Sequence, residues 1–336
     1  MTTIAVDAMG GDYAPVEVVH GAVLAAKEFR IRVQLVGNQE VIKDELKKYS
    51  SLGELPLEVI HADEIIDMGE LQPANAVRRK QNSSIVVAMN QVLKGLASGV
   101  VSAGSTGAAA AAALLTLKRI EGIERPCIAA VIPTRLKPVL LADAGANVES
   151  TSQQLVQNAL MGVALSKGIF KLENPRVALL NIGEEPGKGN ALVKEAYDLL
   201  SKEKYLNFIG NIEGREVPEG MCDVCVCDGF VGNVFLKTAE GMAKMVATLL
   251  REELTRDLLG KVGALFAKES FYRLRKRVDY SEYGGAQLLG VKGVCVIAHG
   301  SSRHIAIKNA VRVAKDAAEA NIIKILESML EIYVKR

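Results

Sequence analysis

Short apolar runs rich in β-branched residues recur along the chain, and each is bounded by turn-forming residues such as glycine, proline, aspartate and asparagine. A half-exposed strand alternates apolar and polar side chains, and most of these runs do not. They are therefore predicted to be buried parallel strands. The predicted strands are Ile4–Ala8, Val33–Val36, Leu57–His61, Gly99–Ala103, Ile128–Ile132, Val139–Ala142, Val177–Ile182, Phe208–Ile209, Val224–Cys227 and Val294–Ala298.

Helical patterns of apolar residues lie between many of these strands, and the C-terminal third is richer still in helix. Strands that alternate with helices are typical of a wound, mainly parallel α/β sheet. The predicted helices are Val16–Phe29, Ile85–Leu96, Ala108–Leu117, Leu155–Leu165, Ala191–Leu200, Val231–Arg251, Leu254–Arg277 with a break near Gly260 to Gly263, and Ser302 to the C-terminus. Because no repeat or linker divides the chain, we expect one α/β catalytic domain over residues 1–336, with an amphipathic helical protrusion at about 249–277.

The composition favours a globular protein with an aliphatic core and gives no sign of nucleic-acid binding or export. Hydrophobic residues make up 49% of the 336 residues and aromatic residues only 4%, so the core is expected to be built from Ala, Val, Leu and Ile. The net charge of +2 gives no support for nucleic-acid binding. The chain enters a strand at once, without a basic segment and an apolar segment that would target export, so a cytoplasmic protein is expected.

The five cysteines are expected to be reduced, buried thiols. Zinc binding by Cys222, Cys225 and Cys227 is the alternative. A second cysteine pair is missing, however, and Cys225 and Cys227 alternate with valine along a strand. No metal site is predicted.

Polar loops that contain glycine follow six of the predicted strands. The carboxyl ends of parallel strands lie at one edge of a sheet, where ligands bind, so the six loops are expected to converge on a site. Ordinary turns are the alternative for any one of them. The loops are Met9–Pro15, Gly104–Gly107, Asp143–Asn147, Gly183–Asn190, Asp228–Asn233 and His299–Ser302.

Three of these loops contain candidate binding or catalytic residues. The loop Gly104–Gly107 leads directly into a helix, where free backbone N–H groups and the helix dipole favour binding of an anion such as phosphate. The alternative is that Ser105 or Thr106 simply caps the helix. Two further residues fit either an active or a structural role. Lys188 lies between two glycines and is either a mobile cation over a phosphate or a solvated lysine, while His299 either donates to an oxyanion and moves a proton or is structural.

Nucleotide-binding motifs are missing. The chain has no G-x-x-x-x-G-K-[ST] sequence, and no strand is followed by G-x-G-x-x-G with an acidic residue at the required distance. No cofactor is therefore predicted.

At these loops the chain resembles the bacterial acyl-[acyl carrier protein]:phosphate acyltransferases of phospholipid synthesis, and the resemblance covers essentially the whole chain. Two positions depart from the family pattern: Ser105 stands where asparagine is common, and Tyr13 where histidine is common. The motifs that carry the resemblance are Asp7–Asp12, Ser102–Gly107, Gly145–Asn147, Lys188–Asn190, Asp228–Val234, Tyr283–Ala286 and Ala298–Ser302.

The resemblance implies a Rossmann-like αβα sandwich, related to phosphotransacetylases and decarboxylating dehydrogenases, in a homodimer. It implies that acyl-ACP and inorganic phosphate give acyl phosphate and the acyl carrier protein. The product then feeds a membrane glycerol-3-phosphate acyltransferase.

On this basis the strand-end residues divide into two groups. We expect Asn233 and His299 near the thioester, with Lys188 as a further catalytic residue and Asp228 orienting donors. The residues expected to hold phosphate are Gly10, Gly11, Asp12, Gly104, Ser105, Thr106, Gly107, Lys188 and Asn190.

The amphipathic region at 249–277 is open to three interpretations. Its apolar stripe beside a basic cluster suits contact with anionic lipid, which would place the protein peripherally at the inner face of the cell membrane. The basic residues could instead contact the acidic carrier protein, and a core-facing stripe is the default for any amphipathic helix. The apolar residues, for membrane or acyl-chain contact, are Leu250, Leu254, Leu258, Leu259, Val262 and Phe266. The basic residues, for carrier-protein or lipid-headgroup contact, are Lys268, Arg273, Arg275, Lys276 and Arg277.

Three other functions compete. A phosphotransacetylase acting on a small acyl-CoA would use the same phosphate site and leave the apolar stripe without a partner. A non-catalytic scaffold of lipid synthesis would have no use for the six polar loops. A decarboxylating dehydrogenase would need a carboxylate cluster for metal and a nucleotide site, and neither is found in the sequence.

Overall fold

The computed structural model describes residues 1–278 and 280–334, which form eleven strands and eleven α-helices. The strands are β1 (Thr3–Asp7), β2 (Arg32–Gly37), β3 (Leu57–His61), β4 (Gly99–Ser102), β5 (Cys127–Ile132), β6 (Val139–Ala142), β7 (Arg176–Asn181), β8 (Asn207–Glu213), β9 (Val224–Val226), β10 (Ala286–Leu289) and β11 (Val294–Ile297). The helices are α1 (Val16–Phe29), α2 (Gln39–Lys47), α3 (Pro73–Arg79), α4 (Ser84–Leu93), α5 (Thr106–Thr116), α6 (Ser152–Ile169), α7 (Ala191–Lys202), α8 (Gly229–Thr255), α9 (Leu258–Val278), α10 (His304–Glu319) and α11 (Ile322–Val334).

All eleven strands belong to one sheet, in the order β3-β2-β1-β4-β11-β10-β5-β6-β9-β7-β8. Strands β3, β2, β1, β4 and β11 are parallel to one another, and so are β6, β9, β7 and β8. Three antiparallel pairings, β11 with β10, β10 with β5 and β5 with β6, join the two sets. An odd number of reversals means that the two parallel sets run in opposite directions.

This topology corrects one expectation. The loops after β1, β4 and β11 lie at one edge of the sheet, and the loops after β6, β7 and β9 lie at the opposite edge. The prediction that all six loops share one edge is wrong, because the apolar pattern of a buried strand does not report its direction.

Helices cover both faces of the sheet, which confirms the αβα sandwich. Helices α1, α6, α7, α10 and α11 contribute buried side chains to the core on one face, and α3, α4 and α5 contribute to the core on the other. Alanine is frequent on α5 and α10, so these helices lie close to the strands beneath them.

The ten predicted strands are all present, but one strand and two helices were missed, and the single helix predicted from Ser302 onward is divided into α10 and α11. Strand β10 has the sequence AQLL, which lacks the β-branched residues that identified the other strands. Helices α2 and α3 are nine and seven residues long, so their periodicity of apolar residues is too brief to identify.

The C-terminal half of α8 and the whole of α9 form a helical hairpin. The break between these helices falls at residues 256–257, not near Gly260 to Gly263 as predicted, and the Asp257 carboxylate accepts the Gly260 N–H at 2.6 Å. Both glycines lie inside α9. In the part of the chain that is described, no helix is long and apolar enough to cross a bilayer.

All five cysteines are buried and free of disulfides, as predicted. Burial raises the pKa of Cys295 to about 12 and also raises the pKa of Cys127. A buried thiol with a raised pKa is a poor nucleophile, which argues against covalent thiol chemistry at Cys127 or Cys295.

Candidate active site

A cleft of about 160 Å³ lies over the middle of the sheet, where the antiparallel strands join the two parallel sets. Its floor is apolar and includes Ile128, Ala130, Ala286 and Ile297 from β5, β10 and β11. Residues from four loops or helix starts also line it, namely the polar Thr106, Asn233, His299 and Ser302, together with Gly145. Loops from the two edges of the sheet therefore meet here, although they follow strands that run in opposite directions.

The loops after β4 and β11 line one side of this site, and the loop after β1 packs against them. Asp12 donates its backbone N–H to the carbonyl oxygen of Gly300 at 2.9 Å. A Cβ atom on Gly10 would lie 2.8 Å from the Gly104 backbone nitrogen and 2.5 Å from an Asp7 carboxylate oxygen. Only glycine leaves room for this contact, so the sequence GGD brings the first two loops together.

A buried carboxylate, which the sequence reasoning did not identify as a site residue, organises the same loops. Asp7 accepts the Ser102 hydroxyl at 2.7 Å, and Ser102 Oγ in turn accepts the Gly104 N–H at 3.0 Å. Burial raises the pKa of Asp7, against the opposing effect of hydrogen bonds from Ser84 and Ser102. The Gly104 N–H is therefore already hydrogen-bonded to Ser102, and the contribution of Gly104 to the site is the close packing of the loop.

The start of α5 is open. Ser105 occupies the N-cap position, but its side chain makes no capping hydrogen bond, so the simple N-cap interpretation is not supported. Thr106 and Gly107 are exposed, and Thr106 lines the cleft. The N-terminal N–H groups of a helix with no side-chain cap favour an anion at this position.

Asp143 organises the other side of the site. Its buried carboxylate accepts four backbone N–H groups, from Ile128, Gly145, Ala146 and Asn147, and the side-chain amide of Asn147, at 2.9 to 3.0 Å. The carboxylate thereby holds the loop after β6 in place. The sequence places Asp143 at a strand end but does not show that it faces inward.

The start of α8 packs directly on that loop. Asp228 caps the helix by accepting the Val231 N–H at 2.9 Å, and its predicted role in orienting catalytic donors stays a prediction. A Cβ atom on Gly232 would lie 1.9 Å from the Asp143 carbonyl oxygen, so only glycine fits. Gly145, at φ +132°, has the Asn233 amide nitrogen 2.5 Å from the position of its absent Cβ. These contacts fix Asn233 at the cleft.

His299 follows β11 and lines the cleft from the opposite side. Its Nδ1 accepts the Ser301 backbone N–H at 3.2 Å and lies 2.7 Å from the Ser301 hydroxyl oxygen. An Nδ1 that accepts an N–H carries no proton, so the neutral ring carries its proton on Nε2. His299 thus has the tautomer of a donor through Nε2.

Lys188 and Asn190 lie outside the lining of the cleft. Asn190 caps α7 by accepting the Val193 N–H at 2.9 Å. Lys188 is exposed on the loop after β7, at the same edge as the loops after β6 and β9. Their predicted contact with phosphate stays a prediction. The cleft instead shows an ion pair that the sequence reasoning missed, Lys237 with Glu240 at 2.8 Å, one turn of α8 beyond Asn233.

The apolar residues of the hairpin are largely exposed, which contradicts a core-facing stripe. Leu258, Leu259 and Phe266 of α9 are 78%, 85% and 86% exposed. The break at residues 256–257 separates them from Leu250 and Leu254 on α8, so the six residues do not form one continuous helical stripe. Val262 is exposed as well.

The basic residues Lys268, Arg273, Lys276 and Arg277 are exposed on α9. The side chain of Arg275 lies outside the described part of the structure. Arg277 donates to the carbonyl oxygen of Arg135, which ties the end of α9 to the loop that follows β5.

Comparison with solved structures supports the fold. A phosphotransacetylase from Streptococcus pyogenes superposes with a TM-score of 0.61 at 18% identity, covering 95% of this chain and 94% of that one. The EutD phosphotransacetylase from Staphylococcus aureus gives a TM-score of 0.60 at 17% identity, with 94% of each chain covered. At such identities the likeness concerns the architecture alone.

Sequence comparison is more specific. A family model described as "Fatty acid synthesis protein" matches residues 2–325. The phosphate acyltransferase of Pelotomaculum thermopropionicum is 50% identical over 328 residues, which cover 98% of this chain and 95% of the relative. The phosphate acyltransferase of Dictyoglomus turgidum is 49% identical over 331 residues, covering 98% of both. The chain therefore belongs to the phosphate acyltransferase family of fatty acid synthesis proteins.

Proposed function

We propose that this acyltransferase converts a long-chain acyl-ACP and inorganic phosphate to acyl phosphate and the acyl carrier protein, and that the product feeds glycerol-3-phosphate acylation in phospholipid synthesis. A single observation carries this proposal. The cleft combines an uncapped helix N-terminus on one side, the donors Asn233 and His299 at its rim, and an apolar floor. These are the features that a phosphate, a thioester and an acyl chain each require.

The chemistry demands little from the protein beyond positioning. A phosphate oxygen attacks the thioester carbonyl carbon, the C–O bond forms, the C–S bond breaks, and the carrier thiolate leaves and takes up a proton. Inorganic phosphate is an anion with a substantial dianionic fraction near neutral pH, so its oxygen needs little activation as a nucleophile. The loops around Gly10, Gly11, Asp12 and Ser105–Gly107 hold it in this proposal.

The carbonyl oxygen gains negative charge in the transition state. The Nε2–H of His299 and the side-chain amide of Asn233 are the donors proposed to stabilise that charge. They reach the cleft from opposite edges of the sheet, so a thioester between them would be held from both sides.

The alternative, a phosphotransacetylase acting on a small acyl-CoA, leaves the hairpin unexplained. A groove of about 1310 Å³ runs between α8 and α9 and is lined mainly by apolar side chains, among them Met242, Val246, Leu250 and Leu254. A small acyl group has no use for this surface. A long acyl chain, a lipid surface or a second protomer in the proposed homodimer does.

Membrane contact is proposed for the apolar tip of the hairpin, with the basic residues of α9 binding acidic groups. Exposed leucine and phenylalanine next to lysine and arginine suit the interface of an anionic bilayer. Arg273, Lys276 and Arg277 lie nearer the body of the molecule, because Arg277 contacts the loop after β5. They are the proposed contacts for the acidic carrier protein, and the protein is proposed to act at the inner face of the cell membrane.

Product formation from palmitoyl-ACP and radiolabelled phosphate, with acetyl-CoA in parallel, tests the proposal. We expect palmitoyl phosphate in the absence of added metal or nucleotide. Turnover of acetyl-CoA alone would move the chain to phosphotransacetylase activity. The absence of product from either substrate would favour a scaffold.

Lys188 is tested by Lys188→Ala. Its side chain is exposed on a loop at the edge of the sheet from which Asn233 approaches the cleft, and we propose that it reaches the phosphate. Removing a charge-assisted contact of about 1.5–3 kcal/mol lowers kcat/KM for phosphate roughly 10- to 100-fold. Lys194→Ala, on the exposed face of α7, is the matched control. If Lys188→Ala stays within about twofold of wild type, Lys188 has no part in catalysis.

Membrane contact is tested by Leu258→Glu together with Phe266→Glu. A carboxylate at either position would have to leave water on binding, so we expect sedimentation with anionic liposomes to fall several-fold while turnover of acyl-ACP in solution is retained. Leu71→Glu, which alters another highly exposed leucine outside the hairpin, is the control. Unchanged liposome binding by the double variant would contradict the anchor.

A further inference from the structure

Two histidines and a glutamate meet between α1 and α10, away from the lining of the cleft. Glu17 Oε2 lies 2.6 Å from His304 Nδ1 and also accepts the His304 backbone N–H at 2.7 Å. The imidazole rings of His20 and His304 are stacked with centroids 4.2 Å apart. One ligand atom from each of the three side chains lies within 4.8 Å of the other two. The sequence analysis predicted no metal site.

We infer that Glu17, His20 and His304 form a binding site for a divalent transition metal ion of the zinc class. Glu17 and His20 are three residues apart on α1, a spacing that places both side chains on one face of a helix, and Glu-x-x-His is a recurring source of metal ligands in helical proteins. His304 supplies a third ligand from the first turn of α10. Two imidazoles and one carboxylate match the preferences of zinc, with a water as the fourth ligand.

The surroundings allow an ion to enter. All three residues are partly exposed, so solvent reaches the cluster. His20 stacks on Tyr49 on its other side, with centroids 5.3 Å apart. The Arg303 guanidinium lies 3.7 Å from Oε1 of Glu17, whereas His304 contacts Oε2. One carboxylate oxygen therefore faces the histidines and the other faces the arginine.

The protonation states also fit. Burial, and then the nearby charge of His304, lowers the pKa of His20, which favours the neutral ring that a metal requires. Burial acts to raise the pKa of Glu17, but hydrogen bonds from the His304 backbone and ring outweigh it and hold that pKa below its ordinary value. Glu17 is thus a carboxylate near neutral pH.

Binding requires a small local rearrangement. Zinc lies about 2.0–2.2 Å from nitrogen and oxygen ligands, and a tetrahedral site separates ligand atoms by roughly 3.4 Å. Parallel stacked rings cannot both direct a nitrogen lone pair at one ion, so His20 turns out of the stack as the ion binds. Because α1 follows the Gly10–Asp12 loop and α10 follows the His299–Ser302 loop, the ion would tie together the helices that begin behind one side of the cleft.

Isothermal titration calorimetry with ZnCl₂ in a phosphate-free buffer tests the site on the full-length protein, with metal content measured by plasma mass spectrometry after desalting. We expect one zinc ion per chain and a rise in melting temperature of several degrees at saturating zinc. Co²⁺ in place of zinc should give the visible absorption of a tetrahedral site with nitrogen and oxygen ligands.

Four variants decide the assignment. His20→Ala and Glu17→Gln should each weaken zinc binding at least 10-fold, while His61→Ala, which removes an exposed histidine paired with Asp63, should leave it unchanged. Because Glu17 also holds the first turn of α10, His20→Gln provides a second variant that leaves this contact intact, and circular dichroism confirms folding. Failure of wild type to bind zinc stoichiometrically, or zinc binding by His20→Ala and His20→Gln as tight as that of wild type, would overturn the inference.

Discussion

Replacing Asp143 by alanine lowers the free energy of unfolding by at least about 3–5 kcal/mol, because the substitution leaves a set of buried donors without an acceptor. The wild-type carboxylate is 0% exposed and accepts five N–H groups. Asparagine should not rescue the variant. Its amide has one oxygen, while donors approach both carboxylate oxygens, so its NH₂ group would face N–H groups on one side.

Thermal and urea unfolding of Asp143→Ala and Asp143→Asn measure this effect. Asp228→Ala is the matched control, because Asp228 also accepts a backbone N–H in the same site but is only half-buried, and loss of an N-cap costs about 0.5–2 kcal/mol. A loss of stability in Asp143→Asn no larger than in the control would show that the loop after β6 is held by other contacts.

The same residue shows where sequence reasoning ends. Asp143, Asp228 and Asp12 all follow strands and look alike in the sequence, yet Asp143 is buried among backbone donors, Asp228 caps α8, and Asp12 is exposed. Local pattern places each at a strand end. Which way each side chain turns depends on the packing of neighbouring loops, which a single sequence does not reveal.

Strand direction is a second limit. Apolar runs predicted ten of the eleven strands because burial on both faces leaves a clear pattern, but that pattern is the same for a strand and its reversed neighbour. The antiparallel β5 and β10 reverse the second half of the sheet, so loops from opposite edges share the cleft with apolar residues of these strands. The floor, including Ile128 and Ala130, could not be predicted as part of a site, since these residues resemble any others in the core.

Contacts made by glycine were predicted in part. Gly10 and Gly232 stand in motifs that the sequence already associates with a site, and the structure supplies the reason for each: a backbone nitrogen 2.8 Å and a carbonyl oxygen 1.9 Å from the absent Cβ. These glycines therefore contribute to the site chiefly by allowing neighbouring loops to pack closely. Ligand binding is then expected to depend on the side chains that this packing positions.

His299→Ala and Asn233→Ala are each expected to lower kcat for acyl phosphate formation by about 10²- to 10³-fold, the usual cost of removing one oxyanion donor. Because the donors act on charge that develops only in the transition state, KM for acyl-ACP and for phosphate should change little. The measurement is steady-state release of carrier thiol with each substrate varied in turn. His61→Ala, which alters a histidine outside the cleft, should keep wild-type rates.

The pair of variants also separates two roles for His299. If Nε2–H only donates to the oxyanion, the amide of His299→Gln can replace it, so this variant should be faster than His299→Ala. The kcat of His299→Gln should then be independent of pH between about 5.5 and 7.5, where an ordinary histidine ionises. If His299 instead protonates the leaving thiolate, His299→Gln is as slow as His299→Ala.

In that second case the double variant His299→Ala with Asn233→Ala should lower kcat by close to the product of the two single effects, because the two groups would act on different atoms. Rates within about threefold of wild type for both single variants would remove the two donors from the mechanism and leave phosphate positioning by the start of α5 as its main part.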